Sequence, residues 1–408
     1  MSTQPLIRRS LDLTELLDGG TFTSVPGTRV GVAQAEVKRV GLVRDDIAVL
    51  VATGLAAGVV TRSTALAAPC RWTRARLPGP VTALVVNSGN ANAATGTQGE
   101  ADAQHMAETV AQELGCAATS VLVCSTGVIG VPMPMARVKA GIVRAVASLG
   151  SVDGHRAARA IMTTDLVPKE AACAVDGVTV GGIAKGSGMI HPDMATMLAF
   201  LVTDARIAPE HATALQALVT TVADRTFHAV TVDGDMSTND TFVVQSTGVG
   251  PTAAPGTPMW VALERALHAV ARHLARAMAR DGEGARHLIE VIVEGTADDA
   301  TARMAARTVA RSPLVKTAIA GHDANWGRVL GALGAAGVAA LERCDLDFAG
   351  VPVLRDGAPL PFDEARARAA LSEPTVTIAA RLPGPGYGEA FGCDLTADYV
   401  RINADYRT

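Results

Sequence analysis

The segment MIHPDMATMLAF, residues 189–200, places Thr196 at the start of an apolar run that predicts a strand. The hydroxyl of a threonine stays protonated at neutral pH, so the side chain is a weak nucleophile unless a base takes the proton. One recurring solution makes the threonine the first residue of a chain, because its α-amine titrates at about 7.7–8.0 and can act as that base. A β-branched residue at a strand start also has a purely structural interpretation, and spacing alone does not decide between the two.

Several polar segments precede Thr196 and follow the ends of predicted strands. They expose backbone N–H groups and polar side chains that suit the binding of a polar substrate or an oxyanion. Each segment alone is equally typical of an ordinary turn, whereas together they favour a pocket in front of Thr196. The segments are residues 87–96, 125–130, 163–165 and 185–193.

Two stretches fail the patterns of known ligand-binding loops. In GGIAKGSGMIHP, residues 181–192, Lys185 precedes its glycine, whereas a nucleotide-binding P-loop needs Gly-Lys-Ser or Gly-Lys-Thr. In TVDGDMSTNDT, residues 231–241, the sixth position of a calcium loop starting at Asp233 is Thr238, where glycine is required. The His, Cys and Asp residues show no set at metal-ligand spacing. We therefore expect no metal ion and no resident cofactor.

The composition is typical of a globular α/β enzyme without a nucleic-acid or membrane partner. The chain has 408 residues, 49% hydrophobic and 19% charged, which is enough to bury a large core. Aromatic residues make up only 3% and the net charge is −4, so neither stacking rings nor a basic surface favours nucleic acid. The six cysteines contain no CxxC pair, which is typical of reduced, mostly buried thiols. With no signal-peptide segment and no apolar run of the roughly 20 residues that a membrane span needs, we expect a cytoplasmic protein.

Apolar runs alternate with segments of helical period, which predicts an α/β (α+β) fold made of helix and sheet layers. The strand runs are continuously apolar rather than alternating, so both sheet faces should be covered. The predicted strands are residues 46–53, 82–87, 120–125, 178–184, 197–203, 240–246, 288–294 and 374–380. The predicted helices are residues 101–114, 134–149, 208–225, 258–279, 298–311 and 326–342.

A series of motifs runs in order from about residue 40 to the C-terminus. They are VNSGNANAATG (86–96), STGVIG (125–130), AIMTTD (160–165), AKGSGMIHPDMATML (184–198), VTVDGDMSTNDT (230–241), DGEGARHLIEV (281–291), SPLVKTAIAGHDANWGR (312–328) and CDLTADYVRINADYRT (393–408). In these motifs the chain closely resembles the ornithine acetyltransferase family, arginine-biosynthesis enzymes of the N-terminal-nucleophile type. The resemblance implies the layered sandwich of that family, with a smaller C-terminal subdomain.

The resemblance also implies a precursor that cuts itself between Ala195 and Thr196. An α-chain of residues 1–195 and a β-chain of residues 196–408 would then fold together as one catalytic unit and pair into an α2β2 heterotetramer. In the implied ping-pong reaction, Thr196 takes an acetyl group from N2-acetylornithine and passes it to glutamate. No cofactor is needed, although some members of the family also accept acetyl-CoA as donor.

Motif matches carry family roles to particular residues. Thr196 is the implied nucleophile with its own amine as base, and Thr126 and Gly127 are the implied oxyanion hole. A cation at Lys185 suits a substrate carboxylate and an anion at Glu283 suits a substrate ammonium, although Glu283 is also typical of a cap on a helix over 283–290. The implied substrate-binding set is Thr163, Lys185, Thr196, Glu283, Asn403 and Thr408.

The sequence departs from the family pattern at several positions, and these leave the substrate open. Met236 stands where the family commonly has Thr, and Arg286-His287 stands where Thr-Lys is common. One alternative is a paralogue that acts on another amino acid or amine in secondary metabolism. Another is an amidohydrolase with the same type of nucleophile, which hands the acyl group to water. A catalytically silent amino-acid-binding homologue is disfavoured by the intact Ala195–Thr196 junction.

Overall fold

The structure is a computed structural model that describes residues 14–191 and 197–405. The predicted cleavage site, Ala195–Thr196, and the predicted substrate-binding residue Thr408 therefore lie outside the described residues. The chain forms two compact units. In the described part of the chain, the larger unit contains residues 14–191, 197–228 and 235–274, and the smaller unit contains residues 229–234 and 275–405.

The strands share a high content of buried aliphatic residues. They are β1 (Arg29–Ala33), β2 (Ile47–Val60), β3 (Gly79–Asn90), β4 (Val121–Val128), β5 (Lys169–Val175), β6 (Val178–Lys185), β7 (Leu198–Thr203), β8 (Val230–Thr231), β9 (Thr241–Ser246), β10 (Leu288–Thr296), β11 (Asp345–Phe348), β12 (Val351–Arg355), β13 (Ala358–Pro359), β14 (Thr375–Arg381) and β15 (Gly386–Cys393).

The helices are mostly amphipathic, with apolar residues spaced at three and four positions. They are α1 (Ala68–Arg74), α2 (Gly96–Leu114), α3 (Met135–Ala147), α4 (Gly154–Ala160), α5 (Ala212–Arg225), α6 (Pro258–Arg280), α7 (Asp299–Arg311), α8 (Pro313–Ala320), α9 (Trp326–Ala335), α10 (Glu364–Leu371) and α11 (Ala397–Asp405).

The sheet of the larger unit is built around the long strand β2. One edge of β2 pairs antiparallel with β3, while its other edge pairs antiparallel with β1 over the first half and with β9 over the second half. Within the described residues the strand order is β4-β3-β2-β9-β7-β6-β5, with β1 beside β2. The β3–β4 and β7–β9 pairs are parallel. This order places β7, the first strand after residue 196, inside the sheet between β9 and β6.

Both faces of this sheet are covered. Side chains of successive strand residues point to opposite faces, and in β2 Leu50 packs in one core cluster with Phe22 and the α4 residue Ala157. The adjacent Val49 packs in another cluster with the α2 residue Met106 and with residues of α3. Because each face needs apolar residues, β2 is continuously apolar, which confirms the predicted layered α/β fold.

The smaller unit contains a second sheet, whose strand order in the described residues is β13-β12-β11-β14-β10-β15-β8. Its interior strand β10 pairs parallel with β14 and antiparallel with β15. One face of β10, represented by Ile289, packs with Val309 of α7, Val315 of α8 and Leu333 of α9. The predicted smaller C-terminal subdomain is thereby confirmed.

Each of the predicted strands and helices corresponds to an observed element, and the main differences concern their ends. Strand β2 continues seven residues beyond the predicted end because its second half has a partner of its own, β9. Helix α9 ends at Ala335 instead of residue 342, because Gly337 adopts a left-handed conformation with φ of 72°. The helix considered over 283–290 is wrong, since β10 begins at Leu288.

The cysteines match their predicted state. All six lie in the described residues, none forms a disulfide, and all except Cys116 are buried. Burial raises the pKa of Cys70 to about 12, so this thiol stays protonated and inert at neutral pH. Within the described ranges, no helix is long and apolar enough to cross a membrane.

The close approach of α3 to β1 gives a stability test. A Cβ atom on Gly31 would lie 2.0 Å from the carbonyl oxygen of Ala145, so Gly31→Ala should lower the free energy of unfolding by about 1–3 kcal/mol, measured by urea denaturation. The matched control is Gly331→Ala in α9, where a Cβ meets no atom within 4 Å and should be neutral or slightly stabilising. Unchanged stability of Gly31→Ala would contradict the observed packing.

Candidate active site

Three of the predicted site residues meet at the end of β6. Lys185, the last residue of β6, is buried, and its Nζ donates hydrogen bonds to Thr163 Oγ1 at 2.7 Å and Thr126 Oγ1 at 3.3 Å. Thr126 lies in β4, and Thr163 lies in the segment between α4 and β5. The structure thus joins the cation expected to bind a carboxylate to a residue of the expected oxyanion hole.

Asp165, for which the sequence pattern predicts no role, holds this cluster in place. Its side chain is fully buried; Oδ1 lies 2.7 Å from Lys169 Nζ, and Oδ2 lies 3.9 Å from Lys185 Nζ. The backbone N–H groups of Thr163 and Gly186 donate to the same carboxylate at 3.0 Å and 2.6 Å. Burial alone would raise the pKa of Asp165, but the charges of Lys185 and Lys169 outweigh burial and hold this pKa well below its usual range. Asp165 is therefore a carboxylate at neutral pH.

Gly127 follows Thr126 where β3 and β4 come unusually close. Gly127 has φ of 134°, and a Cβ atom on it would lie 2.3 Å from the carbonyl carbon of Gly89. Only glycine fits this backbone. Because Lys185 donates to the Thr126 hydroxyl, the O–H of Thr126 can itself donate elsewhere, polarised by the neighbouring ammonium. A backbone in this position, together with that hydroxyl, has the chemistry of an oxyanion hole.

The start of β7 lies next to this cluster. In the antiparallel β6–β7 pair, Lys185 is the register partner of Leu198. The preceding residue, Met197, donates its N–H to Asp240 Oδ1 at 2.7 Å and accepts from Thr241 N–H at 3.1 Å. Burial raises the pKa of Asp240 well above its usual range, despite the Met197 N–H and the charge of Lys185. The surroundings of Asp240 thus disfavour its ionised form, whereas those of Asp165 favour it.

The polar side chains of segment 87–96 mainly hold the protein's own backbone. Strand β3 continues to Asn90, and Asn87 Nδ2 donates to the Asn90 carbonyl at 2.8 Å. From the segment before β9, Asn239 Nδ2 donates to the Ser125 carbonyl at 2.9 Å. These buried amides tie the ends of β3 and β4 to the start of β9, so the observed contacts favour the architectural interpretation of this segment.

Two further predicted residues meet in the smaller unit. Asn403 on α11 donates its amide N–H to Glu283 Oε2 at 2.9 Å, and Glu283 is largely buried. The turn that carries Glu283 packs closely on α11, because a Cβ on Gly284, where φ is 72°, would lie 2.5 Å from the backbone nitrogen of Tyr399. The Asn403 amide therefore orients the Glu283 carboxylate, which suits the binding of an ammonium group.

The sequence contained signals for the residues that were missed. Asp165 and Lys169 stand four residues apart with apolar neighbours, a spacing typical of an ion pair, although no helix forms there. Asp240 belongs to a segment considered only as a calcium loop. In the part of the chain that the structure describes, no group of three or more His, Cys, Asp or Glu residues is arranged to hold a metal ion.

Comparison with known proteins identifies the family. The model of the ArgJ family matches residues 29–408, so the chain belongs to the ArgJ family, which confirms the motif-based recognition. A relative from Symbiobacterium thermophilum, named arginine biosynthesis bifunctional protein ArgJ, is 48% identical over 97% of this chain and 100% of the relative. A relative of the same name from Thermosynechococcus vestitus is 45% identical over 95% of this chain and 98% of the relative.

A solved structure gives a further comparison. The crystal structure of the arginine biosynthesis bifunctional protein ArgJ from Bacillus halodurans is 45% identical in sequence, with a TM-score of 0.50. The match covers 52% of this chain and 100% of the crystallised chain. The relative's chain is therefore matched by about half of this one.

Removal of the Asp165 charge should destabilise the larger unit. Asp165→Asn leaves two ammonium groups buried without their shared anion, so the free energy of unfolding should fall by about 3–5 kcal/mol in urea denaturation. The matched control is Asp102→Asn, because Asp102 is also buried but its Oδ1 accepts from the neutral Gln98 amide. Equal effects of the two substitutions would contradict a special role for the Asp165 charge.

The same pair of proteins gives a pH test. Because the pKa of Asp165 is lower in the folded than in the unfolded state, its stabilising contribution is fully present above the unfolded pKa of about 3.9 and is lost as the pH falls further. The difference in unfolding free energy between wild type and Asp165→Asn should be constant above about pH 6 and shrink by about 1 kcal/mol from pH 5 to pH 3. A constant difference down to pH 3 would show that the pKa of Asp165 is the same in the folded and unfolded states, which would contradict its pairing with the two lysines.

Proposed function

We propose that the chain is a self-processing acetyltransferase of arginine biosynthesis, which moves an acetyl group from N2-acetylornithine to glutamate through an acetyl-Thr196 intermediate. The observation that carries this proposal is the β6–β7 pairing, which brings the start of β7 beside Lys185 and its bonded hydroxyls. Membership of the ArgJ family supports it, since relatives that match over nearly their whole length are named arginine biosynthesis bifunctional proteins.

Self-cleavage precedes transfer in this proposal. The Thr196 hydroxyl attacks the carbonyl carbon of Ala195, the acyl group moves from the Thr196 nitrogen to its Oγ, and water hydrolyses the ester. The products are a carboxylate on Ala195 and a free α-amine on Thr196.

Acetyl transfer then uses the new amine as base. The amine takes the Thr196 hydroxyl proton, Oγ attacks the acetyl carbonyl of N2-acetylornithine, and ornithine leaves with the proton on its nitrogen. The α-amino group of glutamate attacks the acetyl ester, which releases N-acetylglutamate and restores the hydroxyl. Both tetrahedral oxyanions accept hydrogen bonds from the Thr126 hydroxyl and the Gly127 N–H, and a single such donor typically lowers the barrier by about 2.7–4 kcal/mol.

Charge complementarity assigns the substrate contacts. The Lys185 ammonium, fixed by Asp165 and the Thr163 hydroxyl, suits the α-carboxylate of either substrate. The Glu283 carboxylate, oriented by Asn403, suits the side-chain ammonium of the ornithine moiety. Thr408 completes the proposed binding set. Acetyl-CoA as an alternative donor, an α2β2 assembly and a cytoplasmic location belong to the same proposal.

Cleavage is tested by electrophoresis and N-terminal sequencing. Wild-type protein should give two fragments, with the shorter N-terminal one ending at residue 195 and the other beginning at Thr196. Thr196→Ala should stay as one full-length band and show no transfer, because both reactions need the hydroxyl. Thr196→Ser keeps a hydroxyl and is the matched control, expected to be cleaved. Efficient cleavage of Thr196→Ala would remove Thr196 from the mechanism.

A panel of donors and acceptors tests the transfer reaction. With N2-acetylornithine as donor, N-acetylglutamate should form only when glutamate is present, and replacement of the donor by acetyl-CoA tests the second acetyl source. Acetate released at the same rate with and without glutamate would identify an amidohydrolase instead. Faster acetylation of another amino acid or amine would identify a paralogue with a different substrate. Product formation is followed by mass spectrometry.

A further inference from the structure

The structure fixes Met197 at both of its backbone polar groups. Its N–H donates to Asp240 Oδ1 at 2.7 Å, and its carbonyl accepts from the Thr241 N–H at 3.1 Å. In the proposed function, cleavage leaves Thr196 as a chain terminus that is tethered on one side only, through Met197. The position of the nucleophile then depends on how firmly Met197 is held.

Asp240 is itself rigidly placed. Its side chain is buried, and its carbonyl accepts from the Thr61 N–H at 2.9 Å. The Thr61 hydroxyl, which lies beside the Asp240 carboxyl, donates to the Ser237 carbonyl at 2.8 Å. Within the described residues no hydrogen bond of good geometry reaches Asp240 Oδ2. The bond to the Met197 N–H, at 2.7 Å, is the backbone contact of this carboxyl group, and the Thr61 hydroxyl also favours its ionised form.

The charge state of Asp240 suits this position. Burial raises the pKa of Asp240 well above its usual range, and the charge of Lys185 offsets burial only in part. The adjacent Cys70 thiol also stays protonated, because burial raises its pKa to about 12. Burial therefore disfavours an anion at the acceptor of the Met197 N–H. An anion there would stabilise the ammonium form of an amine on the preceding residue and weaken it as a base.

We infer that Asp240 is a positioning residue for the nucleophile: by accepting the Met197 N–H, it fixes the backbone of the residue to which Thr196 is bonded. This inference rests on the proposed function. It adds a residue that does not touch the substrate and acts through the backbone of Met197.

Asp240→Ala and Asp240→Asn separate this role from others. Asp240→Ala should lower kcat for acetyl transfer roughly 100-fold, as expected for a nucleophile displaced by about 1 Å, with KM changed less than about threefold. Asp240→Asn keeps a neutral group with an oxygen acceptor, so it should recover most of kcat. The acid limb of its pH profile of kcat/KM should coincide with that of the wild type, because the base is still the Thr196 amine.

Asp204→Ala is the matched control. Asp204 is also buried, and its Oδ1 accepts one backbone N–H, that of Thr179 at 2.9 Å, but it does not contact Met197. This variant should lose stability and keep kcat. Circular dichroism and urea denaturation of all variants show whether each one folds, and if Asp240→Ala does not fold, Asp240→Asn alone decides.

The outcomes that overturn the inference differ from those that overturn the proposed function. A kcat of Asp240→Ala within threefold of wild type, in an active wild-type protein, overturns the inference alone. So does an Asp240→Asn variant that folds but loses more than tenfold in kcat or shifts the acid limb, since Asp240 would then act as an ionised group. A wild-type protein that neither cleaves itself nor transfers acetyl overturns the proposed function, and the inference with it.

Discussion

The ion cluster around Asp165 is the interaction on which the candidate site of the larger unit depends. One buried carboxylate joins Lys169 in β5, Lys185 at the end of β6 and the backbone of Thr163, so three separate segments share one anion. Two ammonium groups in the same buried region repel each other strongly unless an anion lies between them. The ionised state of Asp165 therefore allows Lys185 to be buried beside the Thr126 hydroxyl, which its charge polarises.

Asp165 and Asp240 show how environment alone assigns different states to the same side chain. Burial disfavours the anion at both positions. Asp165 has two cations within 4 Å and remains ionised, whereas the Met197 N–H, the charge of Lys185 and the Thr61 hydroxyl offset the burial of Asp240 only in part. The site thus contains one carboxylate that balances charge and one acid whose ionised form is disfavoured and that serves as a hydrogen-bond acceptor.

The order of helices and strands and the family could be predicted from the sequence, because both depend on patterns that are local in the chain. Apolar runs mark β2, β3 and β7 whatever their partners are, and long motifs identify the family. The far end of β2 could not be predicted, since residues 54–60 contain two glycines, and their strand depends on pairing with β3 at residues 54–56 and with β9 at residues 56–60.

The candidate site could be predicted only in part, because its motifs are local in the chain whereas its contacts are not. The meeting of Thr126, Thr163 and Lys185 was anticipated through their motifs, and the structure brings these residues together. The importance of Asp165 depends on contacts between separate segments of the chain. These segments come together only in the folded protein, so a local sequence pattern does not show the contacts. The amides of Asn87 and Asn239 illustrate the converse, since residues that suit a ligand are used to hold the protein's own backbone.

The strand order of the larger sheet also bears on what the proposed cut before Thr196 would do to the molecule. Strands β7 and β9, which follow the cut, lie between β2 and β6, which precede it, and are hydrogen-bonded to them along their lengths. The two products would be interleaved, and neither could leave without breaking the ladders on both sides of β7 and β9. Such a sheet can form only while the chain is continuous or while both pieces are present. If folding comes first, the pairing of β7 and β9 with β6 and β2 would keep the two pieces together after the bond is broken.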